Sequence, residues 1–395
     1  MGLSEALDVE VPQEADGRAE RDLEGWPKGR RCWPERVLLS VDPSSGVWDY
    51  AMELARALQG AGVCFTVASI GGPVSEAQRA EAVAVAGLRL LEGKYALEWM
   101  EDPWVDVERS GRWLLEIAAE VEPDVVHLNG YCHAALDWEA PVIVGAHGCA
   151  LSWWRAVHGG VAPARFAQYR ERVGEGLARA ELVVAPSAAV LDALGEHYRF
   201  SAQQWVIPGA RQGQGFVPGR KGAFVFAAGR MGDEAVNLGV LVRAAPFLSW
   251  PLVVAGPGAS VGREGVQWVG ALEGRALTTW LLEAPIYAAP ARYDPFGMGV
   301  MEAAHCGCAL VLGDIPEMRE HWQGAALFVP PDDEAAWCGT LSLLSADERA
   351  REELGARARA RARQFSPRLL AKRYLAACGG LGGMARAEMH GAVGA

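Results

Sequence analysis

Val37-Leu38-Leu39-Ser40-Val41, a turn through Pro43 and Gly46, a helical pattern from Trp48 to Gln59, and Cys64-Phe65-Thr66-Val67-Ala68-Ser69-Ile70 follow one another near the start of the chain. Both apolar runs are strand-length, and they are apolar at successive rather than alternate positions, the pattern of strands covered on both faces. Between them Tyr50, Met52, Leu54, Ala55 and Leu58 recur at roughly helical spacing. Strand, helix and strand in that order make a βαβ unit, and several in series make a doubly wound parallel sheet.

The pattern repeats along the chain. Asp124 to Leu128, Val142 to Ala146 and Leu182 to Pro186 read as further strands. A Gly-, Gln- and Pro-rich stretch from Ile207 to Gly222 reads as a linker. The alternation then restarts with Phe224 to Ala228, Leu252 to Ala255, Gln267 to Val269, Pro285 to Ala289, Ala309 to Leu312 and Ala326 to Val329. The fold class expected is therefore α/β, with two Rossmann-like doubly wound parallel-sheet domains facing a cleft lined by the carboxyl ends of both sheets. The boundaries expected are a disordered extension at 1–35, domains at 36–208 and 209–366, a helix at 367–379 returning to the first domain, and a flexible tail at 380–395. The helical stretch from Arg349 to Gln364 carries arginines at alternate positions from Arg357 to Arg363, which scatters them around a solvated surface helix.

Composition narrows the function. The chain has 395 residues, which fits two or three domains at about 150 residues each. Its 37 Lys and Arg against 49 Asp and Glu leave a formal charge of −12, which argues against a nucleic-acid partner. The first thirty residues carry eight acidic and four basic side chains and no apolar run, so they are not a secretory signal. The longest uncharged stretch, Ala244 to Gly262, is interrupted by Pro246, Pro251 and Pro257, so no transmembrane helix is expected. Eight scattered cysteines without a C-x-x-C pair read as reduced buried thiols of a cytoplasmic protein, and Cys306 and Cys308 lack the spacing of a metal pair. Glycine is in excess, 47 residues or about 12% against an average of about 7%.

Chemistry concentrates at Tyr293-Asp294-Pro295-Phe296-Gly297-Met298-Gly299-Val300-Met301-Glu302. Pro295 ends the preceding strand, Gly297 and Gly299 permit a tight turn, and Met298 to Cys306 reads as a helix. Strand, turn and helix start put free N–H groups and a positive dipole end at the cleft. Asp294 in the turn and Glu302 one turn into the helix can both face one ligand. Taken alone, such a pair is equally a turn aspartate and a surface glutamate.

This segment resembles the donor-binding signature of the family 4 retaining glycosyltransferases: an acidic residue, Pro-Phe-Gly, four residues and Glu. Val225-Phe226-Ala227-Ala228-Gly229-Arg230 is similar to the family's strand ending in Gly-Arg, and Val253 to Gly258 to its next strand and glycine turn. Ser44-Ser45-Gly46-Val47-Trp48 resembles the glycine loop after the first strand. Asp124 to Asn129 and Val142 to His147 resemble the cleft strands, and Gly313-Asp314-Ile315-Pro316-Glu317 is also family-typical. The resemblance implies a GT-B fold, a UDP- or GDP-linked sugar donor, and hexosyl transfer to an acceptor hydroxyl with retention, without a cofactor or obligatory metal. By the same resemblance Gly46, Gly229, Arg230, Gly256, Leu272, Asp294, Phe296, Gly297, Met298 and Glu302 bind donor. Glu302 takes the ribose hydroxyls and Arg230 the diphosphate, while Asp294 and the amides of Phe296, Gly297 and Met298 hold sugar hydroxyls. His147, Asp294 and Arg230 are the catalytic candidates, and the acceptor, a sugar, lipid-linked or small molecule, is expected near Gly46 and His147. Peripheral membrane contact is compatible with this.

Two departures stand out. Asp294 replaces the family's usual Glu, and Val236 stands where a lysine normally gives the second diphosphate contact; Lys221 is the only lysine nearby in sequence. A glycosyltransferase-like protein that binds a sugar nucleotide without transfer is the alternative. A Rossmann dehydrogenase is disfavoured, because Pro43 to Trp48 does not supply G-x-G-x-x-G. His133, His158, His197, His305 and His321 show no zinc spacing, His127 ends a cleft strand, and Trp153 and Trp154 read equally as sugar platforms or core aromatics.

Overall fold

The computed structural model describes residues 33–212, 219–258, 263–272 and 274–391, with side chains through 381. The expected extension lies, up to residue 32, outside the described residues, as do residues 392–395 of the expected tail.

Two all-parallel sheets form the molecule. The first contains β1 (Arg36–Val41), β2 (Cys64–Ser69), β3 (Leu88–Glu92), β4 (Val125–Leu128), β5 (Val142–Gly145), β6 (Leu182–Ala185) and β7 (Gln203–Val206), in the order β3-β2-β1-β4-β5-β6-β7. The second contains β8 (Val225–Ala228), β9 (Leu252–Ala255), β10 (Val266–Gly270), β11 (Ile286–Ala289), β12 (Ala309–Gly313) and β13 (Ala326–Val329), in the order β10-β9-β8-β11-β12-β13. Each sheet reverses its winding beside its first strand, between β1 and β4 and between β8 and β11. In open α/β sheets that switch point opens the crevice in which ligands sit.

Each sheet is buried on both faces, as the unbroken apolar runs require. Along β1, Val37, Leu39 and Val41 enter one core and Leu38 the other; along β8, Phe226 enters one core and Val225 and Ala227 the other. The edge strands β3 and β7, not anticipated from sequence, are only partly buried, so Leu88-Arg89-Leu90-Leu91-Glu92 and Gln203-Gln204-Trp205-Val206 lack an apolar run.

Helix α1 (Gly46–Leu58) follows β1 and is capped by Ser45, whose side chain accepts from Val47 N–H. The other helices that matter to the cleft are α2 (Ala150–His158), α3 (Ala188–Gly195), α4 (Met298–His305) and α5 (Pro316–Trp322). The stretch read as a linker is packed at its start: Ile207 and Ala210 belong to the first core, while residues 213–218 lie outside the described residues. The last helix, α6 (Pro367–Gly391), sends Leu370, Ala371, Tyr374, Leu375 and Leu381 into that same core. It therefore stays helical past Gly380, where the sequence suggested a flexible tail, because burial of Leu381 offsets the low helix propensity of its glycines. No helix among the described residues is long and apolar enough to cross a membrane.

Candidate active site

On the first-domain side, the turn after β1 is built by Asp42, whose Oδ1 accepts from the N–H (2.9 Å) and hydroxyl (2.6 Å) of Ser44. Gly46 then opens α1. A methyl group there would sit 3.9 Å from Cγ of Met298, so Gly46 lies opposite the first residue of α4 across the cleft. After β5 come His147, Gly148 and Cys149, and the Cys149 N–H donates to the Tyr293 hydroxyl at 3.0 Å. The segment expected to bind donor is thus stitched directly to the loop that carries His147.

On the second-domain side, Gly229 and Arg230 directly follow β8 and Gly256 directly follows β9. The two strand ends touch: a Cβ on Gly256, which has φ +145°, would overlap the carbonyl oxygen of Gly229. Gly256→Ala combines overpacking with left-handed backbone strain, and an unfolding free energy lower by at least about 2 kcal/mol is expected in urea denaturation. Arg230 is exposed and pairs with no described side chain. Its loop is laced to the loop after β11 by Arg292 N–H donating to Ala235 O (2.8 Å) and by Asn237 Nδ2 donating to Pro290 O (3.0 Å). Arg230 and Asp294 therefore project from the ends of adjacent strands.

Val236 packs against the end of β8: its Cγ1 is 2.5 Å from where a Gly229 Cβ would be. Lys221 cannot substitute for the absent lysine. Its Nζ donates to Ala284 O and Cys306 O, both at 2.8 Å, at the amino ends of β11 and β12. Sheet length separates it from the cleft.

Within the Tyr293 to Glu302 segment the structure corrects two expectations. The amides of Phe296 and Gly297 are not offered to a ligand, because Asp294 Oδ1 takes both, at 3.3 and 2.7 Å. An aspartate two and three residues ahead of those N–H groups is well placed to bend back onto the turn. Gly297, at φ +77°, fills the cap position without a side chain, so the N–H groups left without an intrahelical acceptor are those of Met298, Gly299 and Val300. Burial raises the pKa of Asp294, opposed by the two N–H groups it accepts.

Glu302 is not free to meet a ligand beside Asp294 while its own ion pair stands. Its Oε1 pairs with Arg211 Nη2 at 2.6 Å, and the same guanidinium reaches Asp49 (3.4 Å) and Glu53 (3.8 Å) on α1. Arg211 and Glu302 side chains are only 26% and 16% exposed. Burial raises the pKa of Glu302 and Arg211 opposes it; Asp49 and Glu53 are likewise pushed up by burial. Arg211 thus bridges the domains, a role that a residue inside a polar linker does not announce.

His147 is half-buried. Its Nε2 is 2.9 Å from Asn129 Oδ1, and its ring lies 4.4 Å from that of Tyr50. Burial lowers its pKa to about 4. His127, fully buried, meets the Tyr374 hydroxyl of α6 at 3.1 Å, and burial with neighbouring His147 takes its pKa down to about 3. His127 is therefore a packing group.

The other candidates resolve as structural. His133 meets Ser110 and the Val107 carbonyl, His158 faces Glu234 at 3.5 Å, and His321 sits between Phe296 and Phe365. Trp154 is engaged by Arg165 (5.2 Å), His158 (4.2 Å) and Phe166 (5.8 Å), so its faces are not left for a sugar ring. Leu272 packs against the second-domain core just beyond β10, at the sheet edge and away from the switch point. Tyr293, Arg211 and Asn129 are the site residues that sequence reasoning missed; Tyr293 directly precedes Asp294 and was the one with a local signal.

The Glycosyltransferase Family 4 profile matches residues 44–210, and the Glycosyl transferases group 1 profile matches residues 223–347. D-inositol 3-phosphate glycosyltransferase of Jonesia denitrificans is 30% identical over 103 residues, 26% of this chain and 24% of that protein. The matched part thus spans about a quarter of the length of that relative. Among solved structures, sucrose-phosphate synthase from Thermosynechococcus elongatus superposes with a TM-score of 0.68 at 17% identity, over 90% of this chain and 100% of that one. Anabaena HepE, solved with UDP and glucose, gives 0.68 at 12% identity, over 86% of this chain and 98% of its own. With both halves of the pattern matched in order, and two parallel sheets meeting at a cleft, the chain belongs to the family 4 glycosyltransferases.

Proposed function

We propose that this chain moves a hexosyl group from a nucleoside diphosphate-sugar to an acceptor hydroxyl, with retention at the anomeric carbon. The observation that carries the reading is an exposed, uncommitted Arg230 just after β8, the strand adjacent to the one that leads into α4 and its three orphan N–H groups. The diphosphate lies on Arg230 and on the N–H groups of Met298, Gly299 and Val300. The ribose hydroxyls take Glu302, displacing Arg211. Asp294, through the oxygen not bound to its own turn, and His147 meet sugar hydroxyls, and the acceptor enters beside Gly46.

Breaking the glycosidic bond builds negative charge on the leaving phosphate, so Arg230 and the helix amides bind the transition state more strongly than the ground state. The scheme calls for no covalent carboxylate, cofactor or metal. Free thiols at all seven described cysteines suit a cytoplasmic location. The name of the inositol-phosphate relative makes D-inositol 3-phosphate the first acceptor to try.

The test is release of nucleoside diphosphate from UDP-, GDP- and ADP-sugars, with and without that acceptor and then a panel of sugar and lipid-linked acceptors. Binding of the right donor should also raise the melting midpoint by mass action. Failure of every nucleoside diphosphate-sugar to bind at millimolar concentration would overturn the reading, and tight binding without release would favour the binding-only alternative. Val236→Lys should tighten nucleotide binding about tenfold or more, since a charged hydrogen bond to phosphate is worth about 1.5–3 kcal/mol.

A further inference from the structure

We propose that Asn129 is a positioning residue: its side-chain carbonyl holds His147 as the Nε2–H tautomer and leaves Nδ1 as a lone-pair acceptor for a substrate hydroxyl. The first part rests on hydrogen-bond inventory alone; the last rests on the glycosyl-transfer reading above.

The inventory closes on Ser40 of β1. Asn129 follows β4, and its Nδ2 donates to the Ser40 carbonyl at 2.7 Å while its backbone N–H donates to Ser40 Oγ at 3.0 Å. A main-chain carbonyl can only accept, so the amide cannot be turned over without setting two oxygens against each other. The atom facing His147 Nε2 at 2.9 Å is then the Asn129 oxygen, which also only accepts. Nε2 must carry the hydrogen. In a neutral ring Nδ1 is then bare, and no described residue partners it.

Space is reserved for this pair. Gly145 ends β5 between the two side chains, and a Cβ there would overlap Asn129 Oδ1 and come within 2.9 Å of His147 Nε2. Three adjacent strands, β4, β1 and β5, thus each supply one part: the acceptor, its anchor and the gap. The titratable groups packed on the ring are Tyr50 of α1, against its face, and His127 of β4, and neither supplies a negative charge that would favour the cation: His127 is held neutral by burial, and burial pushes the Tyr50 hydroxyl well above its usual value. An imidazole so held takes a hydroxyl proton at Nδ1 as a hydrogen-bond acceptor. It does not donate from that nitrogen.

The experiment is long-range ¹H–¹⁵N correlation on ¹⁵N-histidine-labelled protein, with His147 assigned by the His147→Gln variant. At pH 7 the wild type should show one neutral Nε2–H pattern for His147. Asn129→Leu should lose that bias and mix the tautomers, while Asn129→Asp, which keeps an acceptor at the same place, should retain Nε2–H and titrate at higher pH. With a turnover assay in hand, Asn129→Leu should lower kcat roughly tenfold with little change in donor KM, the loss of about one hydrogen bond, and Asn129→Asp should recover part of it. An Nδ1–H or cationic His147 in the wild type at pH 7, or an unchanged tautomer in Asn129→Leu, overturns the proposal. The wild-type and Asn129→Asp spectra decide it even if the leucine variant does not fold. None of the spectra needs turnover, so failure to find a donor would count against the proposed function and leave this assignment standing.

Discussion

Arg211→Ala is expected to lower the unfolding free energy by about 3 kcal/mol at pH 8, and by markedly less at pH 5. Arg211 is the one described cation that touches Asp49, Glu53 and Glu302 together. Removing one partner of a buried pair leaves the other charge uncompensated; the cost is set here at the low end because Asp49 is 41% exposed. The pH dependence follows from the direction of the shifts. Burial already holds all three carboxyl groups above their ordinary values with Arg211 present, and its loss raises them further. A carboxyl group whose folded pKa lies above its unfolded value favours the fold fully only below the ordinary carboxylate range, and that contribution fades as pH rises through the raised value. The deficit of the variant therefore grows from acid to weakly alkaline pH. Urea midpoints of both proteins at pH 5 and pH 8 measure it, and adding Glu302→Gln should restore part of the loss at pH 8. Equal deficits at both pH values would show that the guanidinium acts through packing alone. The same variant bears on function, because in the proposed donor site the ribose takes Glu302 from Arg211. Nucleoside diphosphate binding by Arg211→Ala should accordingly be tighter at pH 8 than in the wild type.

The residues that decide the fold announced themselves and those that close the cleft did not, for a physical reason. Val37 to Ile70 was readable because a strand covered on both faces must be apolar throughout and a helix laid on it must repeat near 3.6. Strands β3 and β7 escaped because an edge strand carries no such demand. The turn at Asp294 was recognised by spacing, but spacing does not say that Oδ1 is spent on Phe296 and Gly297. The pairing of Arg211 with Glu302 joins residues far apart in sequence through a tertiary contact, and nothing local to either marks it. Asn129 was quoted only as the end of a strand, since its role depends on Ser40 and Gly145 arriving beside it from two other strands.

Arg230→Ala is expected to reduce turnover about 10²- to 10³-fold, equivalent to about 2.7–4 kcal/mol of transition-state stabilisation, with a melting temperature within a degree or two of the wild type. The two halves of this expectation have separate grounds. Stability is spared because Arg230 is exposed and pairs with no described side chain, so truncation leaves no buried group unsatisfied. Turnover is not spared under the proposed function, because in a chain of net charge −12 a diphosphate must be neutralised by local groups, and the loop after Arg230 carries the apolar Val236 while Lys221 is held by carbonyls at the far end of the sheet. Arg230 then shares the leaving-group charge only with the Met298, Gly299 and Val300 amides. Arg230→Lys separates charge from geometry: a point charge without the planar fork should recover part of the loss and not all of it. If the charge argument holds, Val236→Lys in the Arg230→Ala background should return more activity, in fold terms, than it adds to the wild type, since the first cation on a diphosphate relieves more charge than the second. Steady-state kcat/KM for donor on the four proteins reads this directly. An Arg230→Ala protein that turns over donor as fast as the wild type would remove Arg230 from the diphosphate and leave the helix amides as its sole support.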